Sequence, residues 1–224
     1  MRNKLLGIIG GMGVQATTRF CQIVTDLQNV TTEQEYLEML VYNKTSTPNR
    51  TAYILGESGE SPLPSLLYAA RALEAAGATC IVMPCVTAHY FYDEIAAAIG
   101  IPFLNMLEET AAFVSREGFS KVGLFATSGT VQGGFFQKAF AHVEVDVVLP
   151  DDTQQAALMK IIYDLKPGGE VLPNILDEFA ASLRGKGANA IVLGCTELSL
   201  LPTGHGYVDA MQVLAKAAVE KCSL

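Results

Sequence analysis

No cluster of basic residues is present in this 224-residue chain. Fifteen Lys and Arg stand against 23 Asp and Glu, for a net charge of −8. Nucleic acid needs Lys and Arg gathered on one face, so it is excluded as a partner. An anionic small molecule is not excluded, because local arginines suffice to bind one. There is no CxxC pair and no pair of His ligands, which argues against a zinc site. No apolar run reaches the roughly 18 residues of a membrane span, so no membrane partner is expected. The N-terminus MRNKLLGIIGGMG runs directly into a strand and a glycine turn, with no visible signal peptide. The five cysteines are an odd number, and reduced thiols in the cytoplasm are the natural reading. Cofactor fingerprints are missing as well. Gln15 and Ala16 stand where GxGxxG needs its third glycine, and the Walker Lys-Ser/Thr pair is absent. No lysine sits in a Schiff-base motif, so no cofactor is expected.

What the chain does contain is the same half twice. Half of its residues are apolar, ample for a buried core. Gly77 to Cys85 reads GATCIVMPC and Gly187 to Cys195 reads GANAIVLGC. Five of these nine positions match, both segments ending in cysteine. Lys4 to Gln15, KLLGIIGGMGVQ, is matched by Lys121 to Gln132, KVGLFATSGTVQ. Gly13 stands 72 residues before Cys85, and Gly129 stands 66 before Cys195. Two motifs repeated in the same order point to duplication.

Strand and helix patterns alternate along the chain. Strands are predicted at Leu5–Ile9, Tyr36–Tyr42, Cys80–Met83, Pro102–Leu104, Val122–Ala126, Val143–Val147 and Ala190–Leu193. Helices are predicted at Gln15–Asn29, Pro64–Ala76, Ala88–Ile99 and Val131–Ala141, then from Thr153, from Pro173 and over Asp209–Lys221. This alternation predicts an α/β fold of two Rossmann-like domains, each a parallel sheet with helices on both faces. Residues 1–107 with 209–224 form one half and 108–208 the other, the boundary falling near Met106–Thr110. Ligands of open α/β sheets sit beyond the carboxyl ends of the strands. Gly10–Gly13, Cys85, Ala126–Thr130 and Cys195 all fall at such ends, so one cleft between the halves is expected to collect them.

Cys85, in PCVTAH, and Cys195, in GCTE, each stand between a strand and a predicted helix, where a helix N-terminus would stabilise a thiolate. Two cysteines at equivalent strand ends of a repeat point to function. Cys21, Cys80 and Cys222 read as structural. The Gly10–Gly13 turn suits a carboxylate held by backbone N–H groups. Thr127-Ser128-Gly129-Thr130 is either a second anion site or an ordinary helix cap. Arg50, in TPNRT, is suited to a carboxylate, although a lone loop arginine is usually solvated. Lys166 reads as a helix C-terminal lysine, and the spacing of His89 assigns it no role.

Together GIIGGMGVQAT, TPNRT, MPCVTAH, GLFATSGT, IIYDLKPG and LGCTELSLL resemble the aspartate/glutamate racemase family, the cofactor-independent amino-acid racemases. The resemblance implies two Rossmann-like domains related by a pseudo-twofold axis, a homodimer and an amino-acid substrate. It implies Cys85 and Cys195 as the two catalytic acid/bases. It further implies Met12, Gly13, Arg50, Thr87, Thr127, Thr130, Lys166 and Thr196 as substrate-site residues. The chain departs from the family pattern at Val86, where many members have Asn, at Asn49 (PDRT) and at Val14 (GGMGP). The stretch from Leu200 to Asp209 lacks much of the usual loop and strand. Hydantoin racemase, a maleate isomerase-like enzyme and a non-catalytic small-molecule-binding relative are the alternative readings.

Overall fold

The structure, a computed structural model, describes residues 5–169 and 174–222. It contains two parallel sheets. The first is built from β1 (Leu5–Gly10), β2 (Glu38–Asn43) and β3 (Cys80–Val82) in the order β2-β1-β3, extended by one parallel bridge between Ile81 and Phe103. The second holds β4 (Lys121–Ala126), β5 (Asp146–Val148), β6 (Ala190–Gly194) and β7 (Tyr207–Asp209) in the order β5-β4-β6-β7. The central strands LLGIIG and KVGLFA are buried almost throughout, as parallel strands covered on both faces must be.

Helices cover both faces of each sheet. They are α1 (Val14–Asp26), α2 (Arg50–Ile54), α3 (Leu63–Ala75), α4 (Tyr92–Ala97), α5 (Met106–Arg116), α6 (Ser128–Gly133), α7 (Phe135–Ala141), α8 (Asp152–Leu165), α9 (Asp177–Gly185) and α10 (Ala210–Cys222). One apolar cluster joins Leu6, Ile8 and Val82 of the first sheet to Val122, Leu124 and Val192 of the second, with side chains of α1, α5, α7 and α10 between and around them. The opposite face of the first sheet packs on α3 and α4 through Leu66, Leu73 and Ile95. That of the second packs on α8 and α9 through Leu158, Ile162 and Leu183. Helix α1 shows why: Ala16, Phe20, Ile23 and Val24 are buried at helical spacing, and its other face is polar. The division expected after residue 107 falls in the first turn of α5. Among the described residues, no helix is long and apolar enough to cross a membrane.

The repeat in sequence becomes a repeat in packing, with one correction. Gly7 pairs with Ile81 and Gly123 with Ile191. A side chain at Gly7 would meet Ala78 Cβ at 2.9 Å, and one at Gly123 would meet Leu183 Cδ1 at 2.8 Å. The two glycines are therefore equivalent, each letting a helix-strand segment lie close on the central strand. The sequence blocks starting at Lys4 and Lys121 are out of register by one residue. In the sheets Leu6 corresponds to Val122 and Gly13 to Gly129. Because side chains alternate across a strand, a one-residue slip would exchange the two faces.

Other elements differ from expectation for local reasons. The predicted helix Val131–Ala141 is two helices, broken at Gly134, whose φ is +66°. The predicted helix Ala88–Ile99 is a 3-10 turn over Thr87–Phe91 followed by α4. The predicted strand Pro102–Leu104 reduces to the single bridge at Phe103. The strand predicted at Val143–Val147 begins only at Asp146, after Glu144 turns with φ +56°. Pro173 lies outside the described residues, and α9 begins at Asp177. Although the stretch after Leu200 is short, it retains a strand, β7, paired with β6.

Candidate active site

One crevice collects residues from both halves at the carboxyl ends of the strands. It is lined by Met12, Asn49, Arg50, Thr51, Cys85, Val86, Thr87, Thr127, Lys166, Cys195, Thr196 and Glu197. Cys85 lies three residues beyond β3 and Cys195 directly follows β6. Both thiols are free, and the two residues are only 6% and 5% exposed. The crevice holds about 290 Å³ of space between atoms.

A hydroxyl triad joins the two halves beside Cys85. Thr87 Oγ1 lies 2.9 Å from Thr127 Oγ1 and 3.1 Å from Thr130 Oγ1, and the last two are 3.0 Å apart. Thr127 also caps α6 by accepting the Thr130 N–H. The TSGT turn is thus a cap whose Thr130 amide is already engaged. Thr130 is fully buried behind Thr87 and Thr127 and does not itself line the crevice.

Arg50 begins α2, and its guanidinium serves the backbone of both neighbouring turns. Nη1 donates to the Thr47 and Pro48 carbonyls, and Nη2 donates to the Met12 carbonyl. Its Nε is buried with no partner. In the Gly10–Gly13 turn, the Gly11 N–H is taken by Thr17 Oγ1. Gly11 has φ +88°, and a side chain there would strike the Lys44 backbone at 2.6 Å. Gly13 sits against the other half: a Cβ would approach Glu197 Oε1 to 3.1 Å. Its counterpart Gly129 sits reciprocally against the first half, where a Cβ would meet Thr51 Cα at 3.0 Å.

Two features were not legible as site chemistry. The first is Glu197, which is 3% exposed. Its Oε2 accepts the Cys195 thiol at 3.1 Å and lies 3.5 Å from Thr196 Oγ1, while Oε1 is buried without a partner. The GCTE motif contains it, yet nothing in its spacing says that the carboxylate folds back onto the thiol. The second is His89, buried beneath the Cys85 loop. Its Nε2 accepts the Met106 N–H at 3.1 Å, so the ring proton belongs on Nδ1, which donates to the Cys85 carbonyl at 2.9 Å. A neutral imidazole thereby ties the cysteine loop to the start of α5. Burial holds its pKa down at about 4, against partial compensation from the backbone at Cys85 and Leu104.

Neither cysteine directly precedes an α-helix. Cys85 is followed by the 3-10 turn Thr87–Phe91 and Cys195 by a three-residue 3-10 turn at Leu198–Leu200, too short for an appreciable dipole. Burial pushes the Cys195 thiol well up, the Glu197 charge adds to the rise, and Lys166 opposes it. Lys166 caps the end of α8, as the sequence predicts, and also lines the crevice. Val86 and Asn49, the family departures, line it too. Asn49 caps α2 through the Ala52 N–H. Among the described residues no cluster of His, Cys, Asp and Glu is arranged to hold a metal ion.

A model of the Asp/Glu/Hydantoin racemase family matches residues 9–218. The broad specificity amino-acid racemase RacX of Bacillus subtilis is 26% identical over 223 residues, covering 96% of each chain. The solved aspartate racemase of Picrophilus torridus is 27% identical with a TM-score of 0.85, over 98% of this chain and 94% of that one. An aspartate racemase homologue from Pyrococcus horikoshii is 25% identical with a TM-score of 0.78, over 99% and 100%.

Proposed function

Because the chain belongs to the Asp/Glu/Hydantoin racemase family, we propose that it racemises an amino acid by a two-cysteine mechanism without a cofactor, with aspartate, glutamate or a related amino acid as substrate. The observation that carries this reading is that Cys85 and Cys195, at equivalent strand ends of two equivalent sheets, line one crevice. Racemisation takes the α-proton from one face of a carbon and returns a proton to the other. One base would have to cross the carbon; two thiols on opposite faces need not. One cysteine acts as thiolate base and the other as thiol acid, and the roles exchange for the mirror-image substrate.

The crevice offers charged groups of both signs for a zwitterion. The unpartnered Arg50 Nε–H and Lys166 suit a carboxylate, and the unpartnered Glu197 Oε1 suits an ammonium group. The hydroxyls of Thr87, Thr127 and Thr196 and the turn at Met12 and Gly13 supply further polar contacts, with Thr130 holding the first two hydroxyls in position. The α-proton of an amino acid is very weakly acidic, so the developing carbanion is high in energy, and such fixed dipoles are what lowers its energy in a dry site. The same family resemblance carries the proposal of a homodimer, for which sedimentation is the test.

The decisive experiment is a survey of single-enantiomer amino acids in deuterium oxide by NMR, with no added cofactor. We expect α-deuterium incorporation together with appearance of the other enantiomer. Turnover that requires added pyridoxal phosphate or a divalent metal refutes the reading, as does a survey in which no α-proton exchanges.

A further inference from the structure

Among the described residues Glu197 is the one carboxylate lining the crevice, and its surroundings are unusual for a buried carboxyl group. It has no ion pair among the described residues, and its closest hydrogen-bond partner is a thiol. Oε2 accepts the Cys195 thiol at 3.1 Å, and Oε1 has no partner among the described residues. A buried carboxylate keeps its charge only where donors face it. Among the lining groups, Cys195 and Thr196 supply donors to one oxygen alone. The thiol is thus held as a donor, and the thiolate form would set two negative charges about 3 Å apart.

We propose that Glu197 is a positioning residue for the proton of Cys195: in the empty site its carboxylate takes the thiol's hydrogen bond, keeps that cysteine in the acid form, and so makes Cys195 the proton donor at the start of a cycle. The final clause rests on the two-cysteine reading above. In the forward step Cys85 thiolate takes the α-proton and Cys195 gives its own to the opposite face of the carbanion. This leaves Cys85 as thiol and Cys195 as thiolate beside Glu197. The like charges then favour return of a proton from solvent to Cys195 while Cys85 releases to solvent the one it took, which resets the site; no electron or co-reactant is required. The enantiomer whose α-hydrogen faces Cys85 meets an enzyme already in the right protonation state. An ammonium group at Glu197 Oε1 would offset the carboxylate charge and ease ionisation of Cys195 when the opposite enantiomer binds.

The other charged and titratable groups lining the crevice are Lys166 at the end of α8, Arg50 at the start of α2 and Cys85. Lys166 acts on Cys195 in the sense opposite to Glu197, while burial acts in the same sense. The test must therefore separate the carboxylate from burial. Protein labelled with 13C at the cysteine β-carbons reports each thiol's ionisation by NMR, and the Cys195 resonance is identified by its loss in Cys195→Ser. We expect the Cys195 midpoint of the parent to lie above the ordinary thiol value of about 8.5. In Glu197→Gln, which keeps the shape and removes the charge, it should fall by about one unit or more, a roughly tenfold gain in thiolate at pH 8. Glu197→Asp, which restores the charge, should lie nearer the parent than the Gln variant does. A residue that merely filled space would leave the midpoint where it was.

An unchanged midpoint in Glu197→Gln overturns the assignment, and so does a parent midpoint at or below about 8.5. Should the Gln variant fail to fold, the S–H stretching band of the parent decides. A Cys195 band lowered relative to the other thiols supports the carboxylate bond, and an unshifted one refutes it. Neither readout needs turnover. Absence of α-deuterium exchange therefore sinks the racemase reading and the proton-donor role with it but leaves the Glu197–Cys195 bond standing, and an unmoved Cys195 sinks that bond alone.

Discussion

Acid should loosen the Cys85 loop through His89. The ring is fully buried, donates to the Cys85 carbonyl and accepts from Met106. Burial disfavours the charged ring and holds the imidazole neutral, with a pKa of about 4 against an ordinary 6.5, and a second proton on Nε2 would face the Met106 N–H. Between these values the unfolded chain binds the proton and the folded one does not. The contribution of His89 is therefore complete above about pH 6.5 and is lost as the pH falls towards 4. The full separation corresponds to about 3 kcal/mol, and about 2.5 kcal/mol of it is lost between pH 7.5 and 4.5. His89→Gln can preserve an acceptor for Met106 but has no proton to gain. Urea unfolding at the two pH values, in both proteins, isolates the effect from the carboxylates that titrate alongside. With a urea slope of roughly 2–3 kcal/mol per molar, the parent midpoint should drop by about 1 M more than the variant's. Equal drops in the two proteins, or a His89 ring signal titrating near 6.5, would refute the reasoning.

Replacing either Cys85 or Cys195 with Ser should abolish racemisation, since each direction needs both groups; one variant retaining α-deuterium exchange on a single enantiomer would identify the surviving base, and parent-rate racemisation by either would end the two-cysteine reading. Arg50→Ala strips three backbone carbonyls of a donor, so stability should fall by about 1–3 kcal/mol and the substrate KM should rise about tenfold or more; a stability loss with unchanged KM would make Arg50 a loop clamp only. Gly129→Ala sets a methyl 3.0 Å from the Thr51 backbone, forcing α6 away from α2, and kcat/KM should drop about tenfold or more; a variant with parental kinetics would mean that this contact does not align the site. Val86→Asn should raise turnover of aspartate relative to the parent, and equal turnover would mean that position 86 does not meet the substrate.

The strand ends that carry Gly13, Cys85, Gly129 and Cys195 were legible in the chain itself. Each is a local pattern, an apolar run stopped by a turn, and the pattern occurs twice in order. Local periodicity sets which residues form strands and where each chain segment leaves the sheet. It also sufficed to predict the parallel sheets with helices on both faces. It could not align the repeats to within one residue, because Lys4 and Lys121 look equivalent while the sheets pair Gly7 with Ile81 and Gly123 with Ile191. Register is decided between strands, by which side chains each face must bury.

The same limit explains the site. Arg50 reads as a loop arginine until Thr47, Pro48 and Met12 are brought around it. His89 lacks a role until Met106, 17 residues on, lends it an N–H. Cys195 looks like an activated thiol at a helix start, but the chain folds a buried carboxylate onto it and follows it with a turn too short to supply a dipole. A thiol's acidity is a difference in solvation and charge between two states. That difference belongs to neighbours in space, and only the tertiary structure selects them.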